Sequence, residues 1–273
     1  MPEPFKLIFL PATKAGMIRA ELHHYLEFDH GPLVIKYPDV SGGFTAYEHH
    51  YVENAPALRA GRDAVTSISF ASVADLAASK ASENYRLQVG RDEDSFRDEA
   101  ESCAYSGVPK VVRDGARDTP CKLLIFRRLR DGEDAPAKWE HHVAKILGGG
   151  DHGAGRVVVN RLSPLGGPRD YDVLDEIGLT DTARNAEIEV ALEAAPAGLL
   201  AHPSVALVTR PRVFRIAGTR ADQEPRERTV AANFRASKLY AKGSTIGGGS
   251  GKRIANPSAS SCATAAASIA IVR

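Results

Sequence analysis

Net charge is nearly absent from this sequence. Lys and Arg total 35 and Asp and Glu 34, a formal charge of +1. No strong field therefore draws the chain to nucleic acid or to an anionic membrane. Base-stacking motifs and zinc-finger spacings are missing too, so no nucleic-acid partner is expected. Cysteine is scarce. Cys103, Cys121 and Cys262 form an odd set without paired spacing, which argues against a disulfide framework and a Cys-rich zinc site. There is no apolar run of about 20 residues, so no membrane helix is expected. The opening "MPEPFKLIFLPATKAG" has too short an apolar run for a signal peptide. A reducing cytoplasm is the expected compartment.

Several enzyme signatures are also missing. No Gly-x-Ser-x-Gly elbow lies between a strand and a helix, and no dinucleotide fingerprint follows the first strand. "GGGSGKR" fails as a phosphate loop. Ile246 stands where the first glycine belongs, and Arg253 replaces the Ser or Thr after Lys252. No His-Glu-x-x-His run occurs, and the adjacent pairs His23-His24 and His141-His142 splay about 100° apart on a helix. Neither a metal nor a cofactor is expected. His152 reads as an inert loop residue.

What is present is an ordinary globular composition, 43% hydrophobic and 25% charged. "KLIFL" (Lys6 to Leu10) reads as a buried strand. Leu22, Leu26 and His30 follow at helical spacing, and Pro32 is expected to end that helix near His30. "FTAYEHHYV" from Phe44 and "AVTSISF" from Ala64 are strands. Ser72 and Asp75 form a capping signal for a helix running to about Phe96, with a break near Asn84. "CAYSGVPKVV" (Cys103 to Val112) closes the unit.

After the linker Asp114 to Pro120, the order restarts. "CKLLIF" echoes "FKLIFL", Pro136 opens a helix through Leu147, and Gly148 to Gly150 stop it. Arg156 to Leu162, Ala186 to Leu192 and Val205 to Ile216 read as strands, with "DYDVLDEIGL" as an insertion. The expected fold is α+β: two tandem ferredoxin-like βαββαβ units, residues 1–115 and 121–218, forming an α+β barrel within one chain. Residues 219–273, rich in Gly, Ser and Ala, read as a loosely ordered tail.

Two constellations can carry chemistry. His30 is a candidate because imidazole as a side chain exchanges protons near neutral pH, and a helix C-terminus favours a cation. Asp29 precedes it. The plainer alternative is a histidine that caps the helix carbonyls. On the strand from Phe44, alternation puts Thr45, Tyr47, His49 and Tyr51 on one face, with Phe44, Ala46, Glu48 and His50 on the other. The first face suits an aromatic or phenolic ligand.

These pieces resemble the EthD-like family of the dimeric α+β barrel superfamily. The resemblance rests on "KLIFLPATKAGM", His30-Gly31-Pro32-Leu33, "GGFTAYEHH", Phe70 to Leu76 and "GRDEDSFRD", and covers about residues 5 to 113. The second half lacks His-x-Pro-Leu. In this superfamily two four-stranded sheets, usually from two chains, pack into a barrel. Here one chain carries both halves, and a homodimer stays open. The resemblance implies acid–base chemistry in a dry pocket on a small-molecule substrate. The expected function is a cofactor-independent lyase, dehydratase or isomerase acting on a small aromatic or cyclic carbonyl metabolite. The catalytic residues would be His30, Tyr47, His49 and Asp29, and the pocket walls Tyr25, Phe44 and Tyr51. A cofactor-free monooxygenase on a phenol and a non-catalytic binding protein are the alternatives.

Overall fold

Eight strands close into a barrel because each finds an antiparallel neighbour on both sides. They are β1 (Phe5–Thr13), β2 (Phe44–Asn54), β3 (Ala64–Phe70), β4 (Arg97–Arg113), β5 (Cys121–Arg127), β6 (Ala154–Gly166), β7 (Val173–Leu179) and β8 (Val205–Val213). Their order around the barrel is β1-β3-β2-β8-β5-β7-β6-β4. Closure leaves no exposed sheet edge among these strands. The computed structural model describes residues 5–54, 62–130, 132, 134–149, 153–166, 170–180, 184–194, 198–201 and 204–216. His152 and the segment 219–273, with Cys262, lie outside the described residues. None of the described helices is long and apolar enough to cross a membrane.

Alternation sends one set of side chains into the barrel and the other outward. Ile8, Leu10, Val52, Val65, Cys103, Tyr105, Leu124, Phe126, Leu162, Leu174 and Leu207 pack together inside. Two residues away on the same strand faces the filling turns polar. Lys6 Nζ lies 2.6 Å from Glu176 Oε1, and Lys122 Nζ lies 2.5 Å from Glu48 Oε2. Asn160 Nδ2 donates to Glu176 over 2.9 Å, and His50 Nε2 sits 3.5 Å from Glu48.

Helices cover the outer faces. The first half carries α1 (Arg19–Tyr25), a π-turn (Leu26–His30), α2 (Gly31–Lys36) and α3 (Pro38–Ser41). After β3 come α4 (Val73–Ala81), a second π-turn (Tyr85–Val89) and α5 (Gly90–Glu93). The second half carries α6 (Ala135–Leu147) and α7 (Asn185–Glu193). Beneath α6 and α7, Trp139, Val143, Leu147, Ile188 and Leu192 join Leu123, Ile125, Val157, Val159 and Ile177 in one core. Each such large apolar side chain contributes about 1.5–3 kcal/mol on burial.

Three readings of the chain need correction. The helix does not end at His30. Gly31 stays helical (φ −58, ψ −50), and its amide reaches back five residues to Leu26. The widened π-turn removes the usual clash between proline and the preceding turn, and Gly31 has no Cβ to meet the Pro32 ring. His30 is therefore a mid-helix residue, not a C-terminal cap. The segment Ala186 to Leu192 is helix α7, not a strand. Its Glu, Ala and Leu residues favour helix, and Ile188 and Leu192, four apart, are the buried ones. "DYDVLDEIGL" is not an insertion but contains β7, a strand buried along its whole length. Its two carboxylates hid the strand pattern, because both are paired inside the protein.

The Ser72 cap is present: its Oγ accepts from the Asp75 amide over 3.2 Å. That helix breaks at Ser82, whose backbone is extended (ψ 152).

Candidate active site

The helix side of the first half gathers the histidines. Two π-turns set up the geometry. The first ends on His30, and the second ends three residues before Asp92. Such turns rotate the residues that follow them and recur at functional sites. Here they bring His30 Nδ1 to 2.8 Å from Asp92 Oδ2. The Tyr25 hydroxyl donates to the other oxygen, Oδ1, over 2.5 Å. Asp92 therefore holds the proton on Nδ1, which leaves Nε2 to exchange a proton with a ligand. Burial alone would raise the Asp92 carboxyl. The hydrogen bonds from His30 and Tyr25 outweigh it and hold the group below the usual carboxylate range. Burial and the bond to Asp92 push the Tyr25 hydroxyl up, so it stays a donor.

Aromatic rings enclose this pair. Phe96 meets the His30 ring edge-on at 4.8 Å. Across the site the His49 ring lies 6.3 Å from His30, tilted by 30°. Phe214, just past β8, stacks on Tyr47 and meets His49, each at 5.0 Å. Gly31 is fixed by the same ring, since a Cβ there would collide with Phe214. His30 is only 7% exposed, and Tyr47, His49 and Tyr51 are fully buried.

His49 Nε2 and the Tyr47 hydroxyl are 2.6 Å apart. Burial, followed by the charge of His30, keeps His49 well below the usual imidazole range, so it is neutral. A neutral ring carries one proton. If that proton sat on Nε2, both the Tyr47 proton and the Nδ1 lone pair would lack partners. If Tyr47 donates to Nε2, only Nδ1–H is left unmet, and that arrangement satisfies more groups.

Asp29 is not brought to His30. Its carboxylate is 56% exposed and lies 4.0 Å from His24 Nδ1, because neighbours on a helix face different ways. Phe44 does share the face of Tyr47, contrary to simple alternation. A bulge between Phe44 and Ala46 shifts the register, which exposes Thr45 and puts the Phe44 ring 5.9 Å from Tyr47. Tyr25 acts through its hydroxyl and lies 5.8 Å from Phe96. His23 bonds the Asp63 carbonyl at 2.8 Å. No cluster of metal-ligating side chains is present among the described residues.

Sequence reasoning missed Asp92, Phe96 and Phe214. Asp92 and Phe96 lay within "GRDEDSFRD", a stretch used for resemblance and given no role. Phe214 had no local signal, since it reaches the site only when β8 pairs with β2.

Fold and site together describe an α+β barrel with a covered histidine–carboxylate pair. Residues 14–100 match the model of the EthD domain family. Among solved structures it is similar to an anthrone oxidase-like protein at 12% identity and a TM-score of 0.51, over 78% of this chain and 94% of that one. A protein provisionally named a monooxygenase, from Lactobacillus acidophilus NCFM, aligns at 12% identity, TM-score 0.49, over 77% and 95%. A mutant chlorite dismutase from Candidatus Nitrospira defluvii aligns at 10%, TM-score 0.47, over 77% and 92%. At 12% identity the likeness to the anthrone oxidase-like protein is one of fold. No curated protein matches the sequence.

Proposed function

We propose that the protein is an enzyme in which His30 acts as general acid and base on a small aromatic or cyclic carbonyl metabolite. The supporting observation is the 2.8 Å bond between His30 Nδ1 and Asp92 among buried aromatic rings. Asp92 orients the ring and stabilises its cation, so Nε2 can take a proton from the ligand and return it elsewhere. A single group of this kind supplies about 10²–10⁴-fold, which suits a lyase, dehydratase or isomerase working on an already acidic C–H. Tyr25 completes the support of Asp92. The two βαββαβ halves, each with strand order fourth-first-third-second, fit a duplicated ferredoxin-like unit. Barrel closure by one chain means that a homodimer would form through outer surfaces.

A second reading shares the same first step. Once His30 has deprotonated a phenol, the electron-rich ring can react with dioxygen, as a cofactor-free monooxygenase would require. The fold neighbour named anthrone oxidase-like favours keeping it. A panel of phenols, cyclic enones and lactones, assayed in air and under nitrogen, decides. Activity that persists under nitrogen and disappears in His30→Ala supports the lyase or isomerase. Activity that requires air supports the monooxygenase. Ligand binding without turnover, insensitive to His30→Ala, would leave a binding protein.

A further inference from the structure

Two polar atoms in the site have no hydrogen-bond partner: His49 Nδ1 and the Tyr51 hydroxyl. Both residues are 0% exposed. An unmet donor in such surroundings is destabilising. Two of them, on adjacent positions of one strand face, are retained at a real cost to stability. Their rings lie 6.1 Å apart, and His49 faces His30. The Tyr47 hydroxyl is not available to a ligand in the same way, because it is engaged with His49 Nε2. Tyr51 keeps its proton, since burial first and the nearby Glu27 charge second push its hydroxyl above the usual range.

We propose that His49 Nδ1–H and Tyr51 O–H are the paired donors for one ligand oxygen, the oxygen that becomes negative when His30 removes a proton. This deepens the acid–base reading of His30 and rests on it. The balance of the step defines the ligand class. With an enolisable carbonyl, the C–H bond breaks and the proton passes to His30 Nε2. The C–H electron pair forms a C=C bond, and the carbonyl π pair moves onto oxygen. With a phenol, the O–H bond breaks and its electrons stay on the same oxygen. Both products are an oxyanion beside an imidazolium, and two buried donors stabilise such an oxyanion more than its neutral parent. Tyr47 is then a positioning residue that sets the His49 tautomer.

The probe is 4-nitrophenol, whose ionised form absorbs in the visible. Bound to the wild-type protein, it is expected to ionise at a lower pH than in water. Tyr51→Phe is expected to weaken binding of the anion about 10–100-fold, the loss of one hydrogen bond to a charged group. Tyr47→Phe is expected to cause a smaller loss, because both donors remain. The melting temperature of Tyr51→Phe should stay level or rise, since the change removes an unmet hydroxyl. Equal affinity of wild type and Tyr51→Phe for the anion overturns the proposal and leaves the two atoms as water sites. A drop in melting temperature without a change in affinity overturns it too, because the hydroxyl is then structural. Turnover keeps the two readings apart. If Tyr51→Phe loses the anion while His30→Ala keeps full turnover, only the base reading falls. If His30→Ala loses turnover while Tyr51→Phe binds normally, only the donor pair falls.

Discussion

The two halves of the barrel use one layout and fill it with opposite chemistry. Under the first-half helices the polar groups are titratable: His30 is held by a partly exposed Asp92, and His49 Nδ1 and the Tyr51 hydroxyl have no partner. Under α6 and α7 the buried charges pair with each other, although Arg127 Nη2 has no partner. Arg127 Nε lies 3.0 Å from Asp175 Oδ2, Trp139 Nε1 donates to Oδ1 over 2.9 Å, and the guanidinium stacks 4.3 Å above the Trp139 ring. Arginine does not release its proton at working pH, and both Asp175 oxygens are committed. The second half holds its layers together this way, and its buried histidine, His142, faces the Leu192 carbonyl at 3.3 Å rather than a carboxylate. A covered site becomes a candidate for catalysis through what its polar groups leave free, not through their number.

The largest expected difference between the halves is in turnover. His30→Ala should lower it about 10²–10⁴-fold, a loss that remains once activity is normalised to folded protein. Arg127→Met should do the reverse. It leaves Asp175 buried and unpaired, which costs about 3–5 kcal/mol of stability, while turnover per folded molecule stays intact. Thermal unfolding of both variants, with activity normalised to folded protein, checks the pair of outcomes. A catalytic loss in Arg127→Met at constant fold would erase the contrast. The double variant Arg127→Met/Asp175→Leu sharpens it, because an apolar pair should recover most of the lost stability.

Acid should also strike the first half first. His49 and His50 are adjacent on β2 and face opposite sides of the sheet. Burial first and the Lys122 charge second lower His50 from 6.5 to about 4, and His49 also lies well below its ordinary value. A depressed histidine contributes stability above its unfolded pKa. That contribution is lost as pH falls from about 6.5 toward the folded value. Hydrogen exchange at pH 5 should therefore show β2 and β3 opening before β6 and β7. Uniform opening around the barrel would show that the histidines do not control it. His50→Gln should flatten the acid dependence.

Much of this contrast could be read from the chain, and the unread parts share a cause. His30, Tyr47, His49 and Tyr51 were legible because helical spacing and strand alternation are local. The element order of the first half followed from the same periodicities. What failed was whatever depends on partners distant in sequence. Pro32 reads as a helix end until the π-turn from Leu26 is known. Asp175 and Glu176 disguise β7 because their cations, Arg127, Lys6 and Lys122, come from other strands. Asp29 looked like the partner of His30 by adjacency, whereas Asp92, 62 residues away, makes the bond. Strand pairing and helix packing, not spacing, choose that carboxylate.

Asp92 gives a finer test of how much the first half owes to that bond. Asp92→Asn keeps the shape and removes the charge, so turnover should fall about 10–100-fold, less than for His30→Ala. Tyr25→Phe is the smallest change. It removes one donor to Asp92 and leaves the His30 bond in place, a loss of about 0.5–1.5 kcal/mol, or roughly 2–10-fold in turnover. Its pH profile carries the more telling signal. Burial works to raise the Asp92 carboxyl, and the His30 and Tyr25 bonds together hold it low. Removing Tyr25 should therefore move the acidic limb of the profile to higher pH, because Asp92 then takes up a proton sooner. A variant with slower turnover but an unmoved acidic limb would make Tyr25 a packing residue and confine support of His30 to Asp92 alone.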